Sequence, residues 1–487
     1  MRILYLDLDT LRPDHLGCYG YRRNTSPHID KIAEQGTVFT NYYCSDAPCL
    51  PSRTALFSGR FGIRTGVVNH GGLAADFRPE GKNRQFVSDY TEACLPYIFR
   101  RAGIRPVSIS PFAERHSAWA FNAGFLELYN TGKRGAESAE DVTPTVLKWI
   151  ENNAAEDNWF LHVNYWDAHT PYRTPADYPN HFESDPIQEW LTEEVLEKHR
   201  NAIGPHTVHE VNMYNNNPDP RYPKNPAEIS NMADMKKMID GYDNGIRYMD
   251  DHIGKIVQAL KEQGVWEDMC VIISSDHGES MGELATYGEH GFADHSVCRI
   301  PMIIKWQGCK KGATNTGLHY HLDLLPTLAE LFGQAGREYW DGESFAKALT
   351  VGQACSRDYL VVSQCAHVCQ RGVRFEDYMY IRTYHDGYHL FPEEMLFNLK
   401  MDPHEQNNIA EEFPEICCQA THMLCEWHDW CMARSEYDTD PLWTVMHEGG
   451  PFHAKGNLEL YARHLEKTGR EWAIEELLRR HPKEQWK

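Results

Sequence analysis

The alternation of short apolar runs with helical segments restricts the possible folds more than any other feature of this sequence. Runs that read as buried strands are separated by segments with helical periodicity; examples of the strands are RILYLDLD, WFLHVNYW and MCVIISSDHGE, and examples of the helices are PHIDKIAEQG, VTPTVLKWIENNA and LDLLPTLAELFG. This order predicts an α/β fold with a mainly parallel sheet flanked by helices. In such sheets, ligands bind beyond the carboxyl ends of the strands.

The pattern changes near residue 350. The runs RDYLVVSQ, GVRFEDYMYIRTY and YHLF predict antiparallel strands, and EEFPEICCQATHMLCEWHDWCMA predicts a helix. We therefore predict a large domain over residues 1–355 and a smaller C-terminal α+β domain and tail, which contains an antiparallel sheet, over residues 356–487. A chain of 487 residues fits one large domain and one smaller one.

The formal net charge of the chain is -22, which disfavours nucleic acid and anionic membranes as partners. An acidic protein that binds an anion must gather cations or a metal locally. No apolar run approaches the ~18 residues that a membrane span needs. The first apolar run begins at residue 3 and contains acids, so it does not resemble a signal sequence. We expect a cytoplasmic protein whose 14 cysteines are reduced thiols.

Acidic residues follow three of the predicted strands, and they could converge at one edge of the sheet. Asp9, Asp167 and Asp276 each come directly after an apolar run, and Asp276 is followed by His277. Asp7 shares a face with Asp9 if the first strand is regular. Carboxylate oxygens suit a hard cation, Ca²⁺ or Mg²⁺. An ordinary exposed turn is the alternative interpretation of Asp276 and His277 taken alone.

Two loops carry histidines that could transfer protons. His169 in WDAHTPY follows a predicted strand, and Arg115 and His116 in FAERHSAW place a cation beside a titratable ring. The chain has 26 histidines, so a structural role for His169 and a solvated loop at Arg115 and His116 are the alternatives.

Cys49 stands just before Pro51, Ser52 and Arg53. Since proline disfavours a helical conformation at the residue before it, we expect a helix to open at Ser52 and Arg53, with its N-terminus beside Cys49. Such a site favours a thiolate or an anionic derivative of the cysteine. No base for a plain cysteine nucleophile lies nearby in the sequence, so these residues alone leave the role of Cys49 open.

The segment CLPSRTALFSGR, residues 49–60, resembles the signature C-x-P-S-R-x-x-x-(L/M)-(T/S)-G-R of the type I sulfatases. The resemblance extends from residue 3 to about residue 410, whereas the last ~75 residues, which include EGGPFHAKG, match less generally. The other blocks occur in the family's order and are DTLRPDHLGCYGY, DAHTPY, SSDHGESMGE, RIPMII, LDLLPTL and LFNLKMDPHEQNNIA.

The resemblance implies an alkaline-phosphatase-like fold and a formylglycine-dependent enzyme. A maturation enzyme, of the formylglycine-generating or radical-SAM kind, would convert Cys49 to Cα-formylglycine, and Arg53 would hold its hydrate. Asp9, Asp276 and His277 match positions that bind the divalent cation, Ca²⁺ or Mg²⁺. The resemblance further implies a small sulfated substrate. One hydroxyl of the hydrate attacks sulfur, and the other then expels sulfate. His169 matches the histidine that protonates the leaving alcohol.

The chain departs from the family pattern in three places. The usual pair of acids after the first strand is Asp9-Thr10 here, and we predict that Asp7 supplies the missing oxygen. A G-K-W-H segment is absent, and we assign Arg115 as a sulfate contact and His116 as the base that deprotonates the hydrate. A later lysine falls on His290, which would be charged only if its pKa is raised; this predicts a pH optimum on the acid side.

The leading hypothesis is a sulfatase that cleaves a sulfate monoester, with a sulfated sugar or glycan fragment as substrate. An aryl or steroid sulfatase, and a phosphonate monoester or phosphodiester hydrolase on the same scaffold, are alternatives within the same fold. A binding protein with a decayed site is the alternative from another class; intact Cys49, Arg53, His169, Asp276 and His277 argue against it.

Overall fold

The computed structural model describes residues 1–81 and 88–484. The strands are β1 (Arg2–Leu8), β2 (Thr37–Tyr43), β3 (Asp46–Ala47), β4 (Arg105–Ile109), β5 (Glu127–Tyr129), β6 (Trp159–Tyr165), β7 (Cys270–Ser274), β8 (Ser280–Met281), β9 (Tyr287–Glu289), β10 (Met302–Lys305), β11 (Ala313–Tyr320), β12 (Tyr359–Gln364), β13 (Cys369–Phe375), β14 (Tyr378–His385) and β15 (Glu394–Asn398).

The α-helices in the same ranges are α1 (Pro27–Ala33), α2 (Cys49–Ser58), α3 (Gly62–Thr65), α4 (Tyr90–Ala93), α5 (Leu95–Arg101), α6 (Phe112–Arg115), α7 (Ala139–Asn153), α8 (Glu193–His199), α9 (Met232–Glu262), α10 (His295–Cys298), α11 (Leu324–Leu331), α12 (Ala346–Val351), α13 (Pro414–Ala433), α14 (Pro441–His447), α15 (Leu458–Lys467) and α16 (Ile474–Arg480). None of the helices in the described part of the chain combines the length and apolar character that a membrane crossing requires.

The predicted parallel sheet is confirmed. Eight strands pair in the order β11-β2-β10-β7-β1-β6-β4-β5, and β10 is antiparallel to both of its neighbours while the other pairs are parallel. Alternate residues of β1 face opposite sides of the sheet. Ile3 packs into the core beneath α5 and α11, whereas Leu4 and Leu6 pack into the core beneath α7 and α9. Helices therefore cover both faces of the sheet. Ligands can be bound at the carboxyl ends of the parallel strands, which the helices leave accessible.

The predicted antiparallel sheet near the C-terminus is also present, with one strand in a different place. Strands β12 to β15 pair in sequence order, and helix α13 covers the segment predicted as a helix. The YHLF run is a turn and not a strand, because Tyr388 and Leu390 take positive φ angles of 77° and 56° that extended residues cannot adopt. The fourth strand is β15, a few residues later.

This second sheet includes a strand from the N-terminal part of the chain. Residues Asp46 and Ala47, which form β3, pair in parallel with Ser363 and Gln364 of β12. The domain boundary predicted after residue 355 lies between α12 and β12. The hydrogen bonds between β3 and β12 therefore join the two predicted domains. Cys49 follows β3 after a single residue.

Helix α15 and Arg470, which follows it, contact the large domain through one buried acid. Glu210 is fully buried, accepts a hydrogen bond from Nη1 of Arg470 at 3.0 Å, and lies 3.2 Å from Nε2 of His464. Burial opposes the charge of Glu210, but His464 and Arg470 together lower its pKa from 4.5 to about 2. The interaction of Glu210 with His464 and Arg470 therefore stabilises the folded chain only at pH values at which Glu210 is ionised.

We expect a Glu210→Gln substitution to reduce the free energy of unfolding by about 3 kcal/mol at pH 7. Because the pKa is depressed on folding, this difference is complete above pH 4.5 and shrinks as the pH falls toward 2. Urea unfolding of both proteins between pH 7 and pH 3 measures it, with the exposed Glu459→Gln as control. A gap that stays constant over this range contradicts the assignment of the ion pair.

Candidate active site

Cys49 is the first residue of helix α2, which the sequence predicted to begin three residues later. Pro51 lies in the first turn of this helix, where a backbone N–H has no partner within the helix and its loss costs nothing. The side chain of Cys49 is only 1% exposed. Its Sγ lies 3.1 Å from Nε2 of His277, at the edge where the parallel strands end.

The expectation that this environment favours a thiolate is wrong for the unmodified cysteine. Burial, followed by the negative charge of Asp9, raises the pKa of Cys49 from 9.0 to about 11, and the opposing effect of His290 is smaller. The thiol is therefore protonated at neutral pH. An unmodified Cys49 is a poor nucleophile in this site.

Arg53 lies one turn further along α2 and joins three carboxylates. Its Nε and Nη2 donate to the two oxygens of Asp7 at 2.8 and 2.9 Å, and its Nη1 donates to Asp9 at 2.9 Å and to Asp276 at 2.5 Å. Each of these four residues is at most 1% exposed to solvent. These contacts assemble β1, β7 and α2 around one guanidinium, as the position of the acids after the strands predicted.

The charge balance of this cluster fits a divalent cation. When all three carboxylates are ionised, they and the one guanidinium leave two negative charges in a buried place, and such charge is costly unless a counter-charge neutralises it. Burial, with the charges of Asp9 and Asp7 and against the effect of Arg53, raises the pKa of Asp276 well above its usual value. A hard cation in contact with these oxygens would neutralise this negative charge and favour the ionised form of Asp276.

The donor atoms that could hold the cation belong to Asp9, Cys49, Asp276 and His277, and all lie within 4.8 Å of one another. Asp7 stands apart from this group, since both of its oxygens face Arg53 and one lies 3.2 Å from Nε2 of His162. Its assignment as a ligand stays a prediction, and its contacts orient Arg53. Asp167 does not join the cluster; its Oδ1 accepts from the backbone N–H of Ala139 at the start of α7.

His277 is in the state that a metal ligand needs. Its Nδ1 lies 2.9 Å from the carbonyl oxygen of Gly278, which can only accept, so Nδ1 carries the hydrogen and Nε2 presents a lone pair to the site. Burial, with the charge of His290, lowers the pKa of His277 to about 3. The ring is neutral at every pH at which the protein is expected to work.

His290 stacks on His277 with ring centroids 4.3 Å apart and carries the opposite protonation preference. Its Nδ1 lies 3.2 Å from Glu279 and 3.3 Å from Glu289. Burial disfavours the charged ring, but Glu289, Cys49 and Glu279 raise the pKa of His290 well above 6.5. The raised pKa favours the charged form of His290, which the predicted stand-in for a lysine requires.

The loop after β6 and the loop after β4 meet at the ring of Trp166. His169 lies 5.9 Å from this ring by centroid, and the guanidiniums of Arg115 and Arg53 lie over it at 4.7 and 5.3 Å. The ring of His169 is 4.9 Å from that of His290. Its Nδ1 donates to the carbonyl of Thr170 at 2.5 Å, so Nε2 is free to face a substrate.

His116 and His169 are both neutral rings in this structure. Burial, with the charge of Arg115, lowers the pKa of His116 to about 3, and its buried Nε2 has no hydrogen-bond partner among the residues that the structure describes. Burial lowers the pKa of His169 well below 6.5 against the opposing charge of Asp9. A neutral His116 fits the predicted base, whereas His169 can act as an acid only after a nearby anion has raised its pKa.

The sequence interpretation missed a group of histidines that adjoins the site. The ring of His367 stacks on that of His453 at 4.2 Å and lies 5.8 Å from that of His290, and Nδ1 of His70 is 3.0 Å from Nε2 of His453. His453 belongs to the EGGPFHAKG segment, which thus reaches the site. The only sequence signal was the high histidine content, which does not indicate positions.

Comparison with known proteins agrees with this architecture. The family model described as Sulfatase matches residues 2–334. A protein described as a sulfatase from Formosa agariphila is 22% identical over 447 residues, which are 84% of this chain and 83% of that protein. A solved "2-O GAG sulfatase" superposes with a TM-score of 0.69 at 20% identity, covering 88% of this chain and 92% of the other.

The phosphonate monoester hydrolase of Agrobacterium radiobacter also has this fold, with a TM-score of 0.68 at 19% identity over 88% of this chain and 96% of that protein. The sheet order, the second antiparallel sheet and these superpositions show an alkaline-phosphatase-like fold. Because the family model covers more than half of the sequence, this chain is an enzyme that belongs to the sulfatase family.

Proposed function

We propose that this protein hydrolyses a sulfate monoester of a sugar or glycan fragment, with formylglycine made from Cys49 and a divalent cation held beside it. The observation that carries the proposal is the buried cluster of Arg53 with Asp7, Asp9 and Asp276, which brings two uncompensated negative charges to Cys49. The name of the similar GAG sulfatase supports a glycan substrate.

Each missing group would supply a definite chemistry. The cation would polarise sulfate oxygens and lower the pKa of an adjacent hydroxyl, and Asp9, Asp276 and His277 are the residues of this chain that would hold it. The hydrated aldehyde would supply one hydroxyl to attack sulfur and a second to expel sulfate.

The surrounding side chains would orient the cation and the hydrated aldehyde and would balance the charge of the bound ester. Arg53 is held by Asp7 along one edge, so its Nη1 is fixed between Asp9 and Asp276 on the side of Cys49. His290 provides a cation for the sulfate oxygens. An anionic ester that binds beside His169 would raise the pKa of that ring, so its protonation would accompany substrate binding.

A phosphonate monoester hydrolase is the second candidate, because the chain superposes equally well on such an enzyme. The two functions differ in the shape of the group that is attacked. A sulfate monoester carries one negative charge, as does a phosphonate monoester, but the latter keeps a carbon substituent that the site must also accommodate.

Competing rates on the sulfate and the phenylphosphonate ester of 4-nitrophenol separate the candidates. We expect kcat/KM for the sulfate to be at least about 10-fold higher, since ~1.4 kcal/mol of discrimination is readily supplied by an ill-fitting substituent. Release of 4-nitrophenol measures both reactions in one calcium-containing buffer. A preference for the phosphonate ester makes the second candidate the function.

A further inference from the structure

Arg173 lies in the same loop as His169 and has two buried nitrogens without a partner. Its Nε and Nη1 are shielded from solvent, and neither donates a hydrogen bond within the described ranges 1–81 and 88–484. A buried donor that is left unpaired costs free energy, and more so when it is charged. Such a group points to a ligand that completes it.

Three other buried arginines of this acidic protein have carboxylate partners. Arg12 pairs with Glu283, Arg371 pairs with Asp440 and Arg470 pairs with Glu210. No carboxylate lies within ion-pair distance of Arg173 in the part of the chain that the structure describes. The contrast shows that the fold itself does not use the charge of Arg173.

A second arginine, Arg115, lies in the loop after β4, and Arg173 lies in the loop after β6. The strands β4 and β6, which lead to their two loops, are neighbours in the sheet, with Ile109 opposite Val163. Arg115 lies over Trp166, the first residue after β6, and donates one hydrogen bond to the carbonyl of Gly135 at 2.9 Å. Parallel strands therefore deliver both guanidiniums to the same edge.

The two arginines act on each other and on the loop that carries His169. After burial, the charge of Arg115 is the next cause that lowers the pKa of Arg173, and the charges of both arginines contribute to the low pKa of His169. Two guanidinium cations that act on each other in this way repel unless an anion lies between or beside them. One sulfate ester already has His290 and the proposed cation as counter-charges.

We propose that Arg173, together with Arg115, forms a second anion subsite, which binds a carboxylate or a second sulfate of the substrate beside the sulfate that is hydrolysed. The inference rests on the proposed sulfatase function. Guanidinium groups bind both anions through charge-assisted hydrogen bonds, and within the described residues Nε and Nη1 of Arg173 are left without a partner for such bonds. The preferred substrates would thus carry two neighbouring negative groups.

Binding to the Cys49→Ala protein tests the subsite without requiring turnover. Two matched pairs of ligands serve as probes: N-acetylglucosamine 6-sulfate with glucosamine 2-N,6-O-disulfate, and glucose 2-sulfate with glucuronate 2-sulfate. In isothermal titration, we expect the doubly anionic member of at least one pair to bind about 10-fold more tightly. The pair that shows the preference identifies the second anion as sulfate or carboxylate.

Adding Arg173→Gln should remove this preference while changing the affinity for the singly charged ligands less than about threefold. Arg173→Lys should keep part of it, and Arg463→Gln, at an exposed site, should keep all of it. Equal binding within both pairs, or an equal loss for all four ligands in Arg173→Gln, overturns the proposal. If the Arg173-dependent preference is found but converted wild-type protein hydrolyses no sulfate ester, the subsite stands and the proposed function fails.

Discussion

Replacement of Cys49 by alanine is expected to lower kcat for sulfate ester hydrolysis by about 10⁴- to 10⁶-fold, the range seen when a nucleophile is removed. The physical reason is that burial raises the pKa of the unmodified thiol to about 11, so the proposed function assigns the reactivity at this position to its converted form. Release of 4-nitrophenol from its sulfate ester, with the wild-type protein beside it, measures the change.

The mass of the peptide that contains Cys49 provides the matching control. Conversion of a thiol to an aldehyde removes ~18 Da from that peptide, and the wild-type activity should scale with the converted fraction. Cys44, a buried thiol outside the donor cluster, offers a matched variant, Cys44→Ala, which should retain activity. Full hydrolysis by Cys49→Ala, or by wild-type protein with an unconverted peptide, contradicts the mechanism.

The Arg53→Met substitution is expected to reduce the free energy of unfolding by about 3–5 kcal/mol, because it leaves buried carboxylates without their counter-charge. We further expect calcium chloride to restore part of this loss, since a cation beside Asp9 and Asp276 can neutralise charge that Arg53 no longer balances. Thermal unfolding with EDTA and with calcium chloride measures both effects.

Arg371→Met is the matched control for this experiment. Arg371 is likewise buried, at 5% exposure, but it pairs with the single carboxylate of Asp440 and lies outside the donor cluster. It should also destabilise the protein, with no recovery in calcium. Equal losses in both variants that do not respond to calcium would show that the Arg53 cluster is only structural.

Much of the fold was predictable because it depends on local periodicity. The apolar run before Asp276 and the helical period of VTPTVLKWIENNA in α7 are set by neighbours in sequence, and both elements were predicted in place. The start of α2 and the YHLF turn were not. Pro51 is tolerated inside the first turn of a helix, and the positive φ of Tyr388 depends on its packing among C-terminal residues that are distant in the chain.

The site was predictable where its residues follow strands of the parallel sheet. Asp9, Asp276 and His277 are adjacent because their strands are, and the helix motif adds Cys49 and Arg53. The contacts between loops could not be read in this way. The contacts of Glu289 with His290 and of His367 with His453 depend on how separate loops fold over the sheet edge, which no spacing encodes. The same holds for Nε and Nη1 of Arg173, which lack a partner within the described part of the chain.

The pairing of β3 with β12 bears on how this protein can be divided. A shortened chain that ends at residue 355 would lack Ser363 and Gln364, the partners of Asp46 and Ala47, which lie directly before Cys49. Unsatisfied backbone groups there would loosen the approach to α2. The C-terminal sheet is therefore part of the support of the reactive residue, and exchanging it between relatives would perturb catalysis even if every residue of the site were kept.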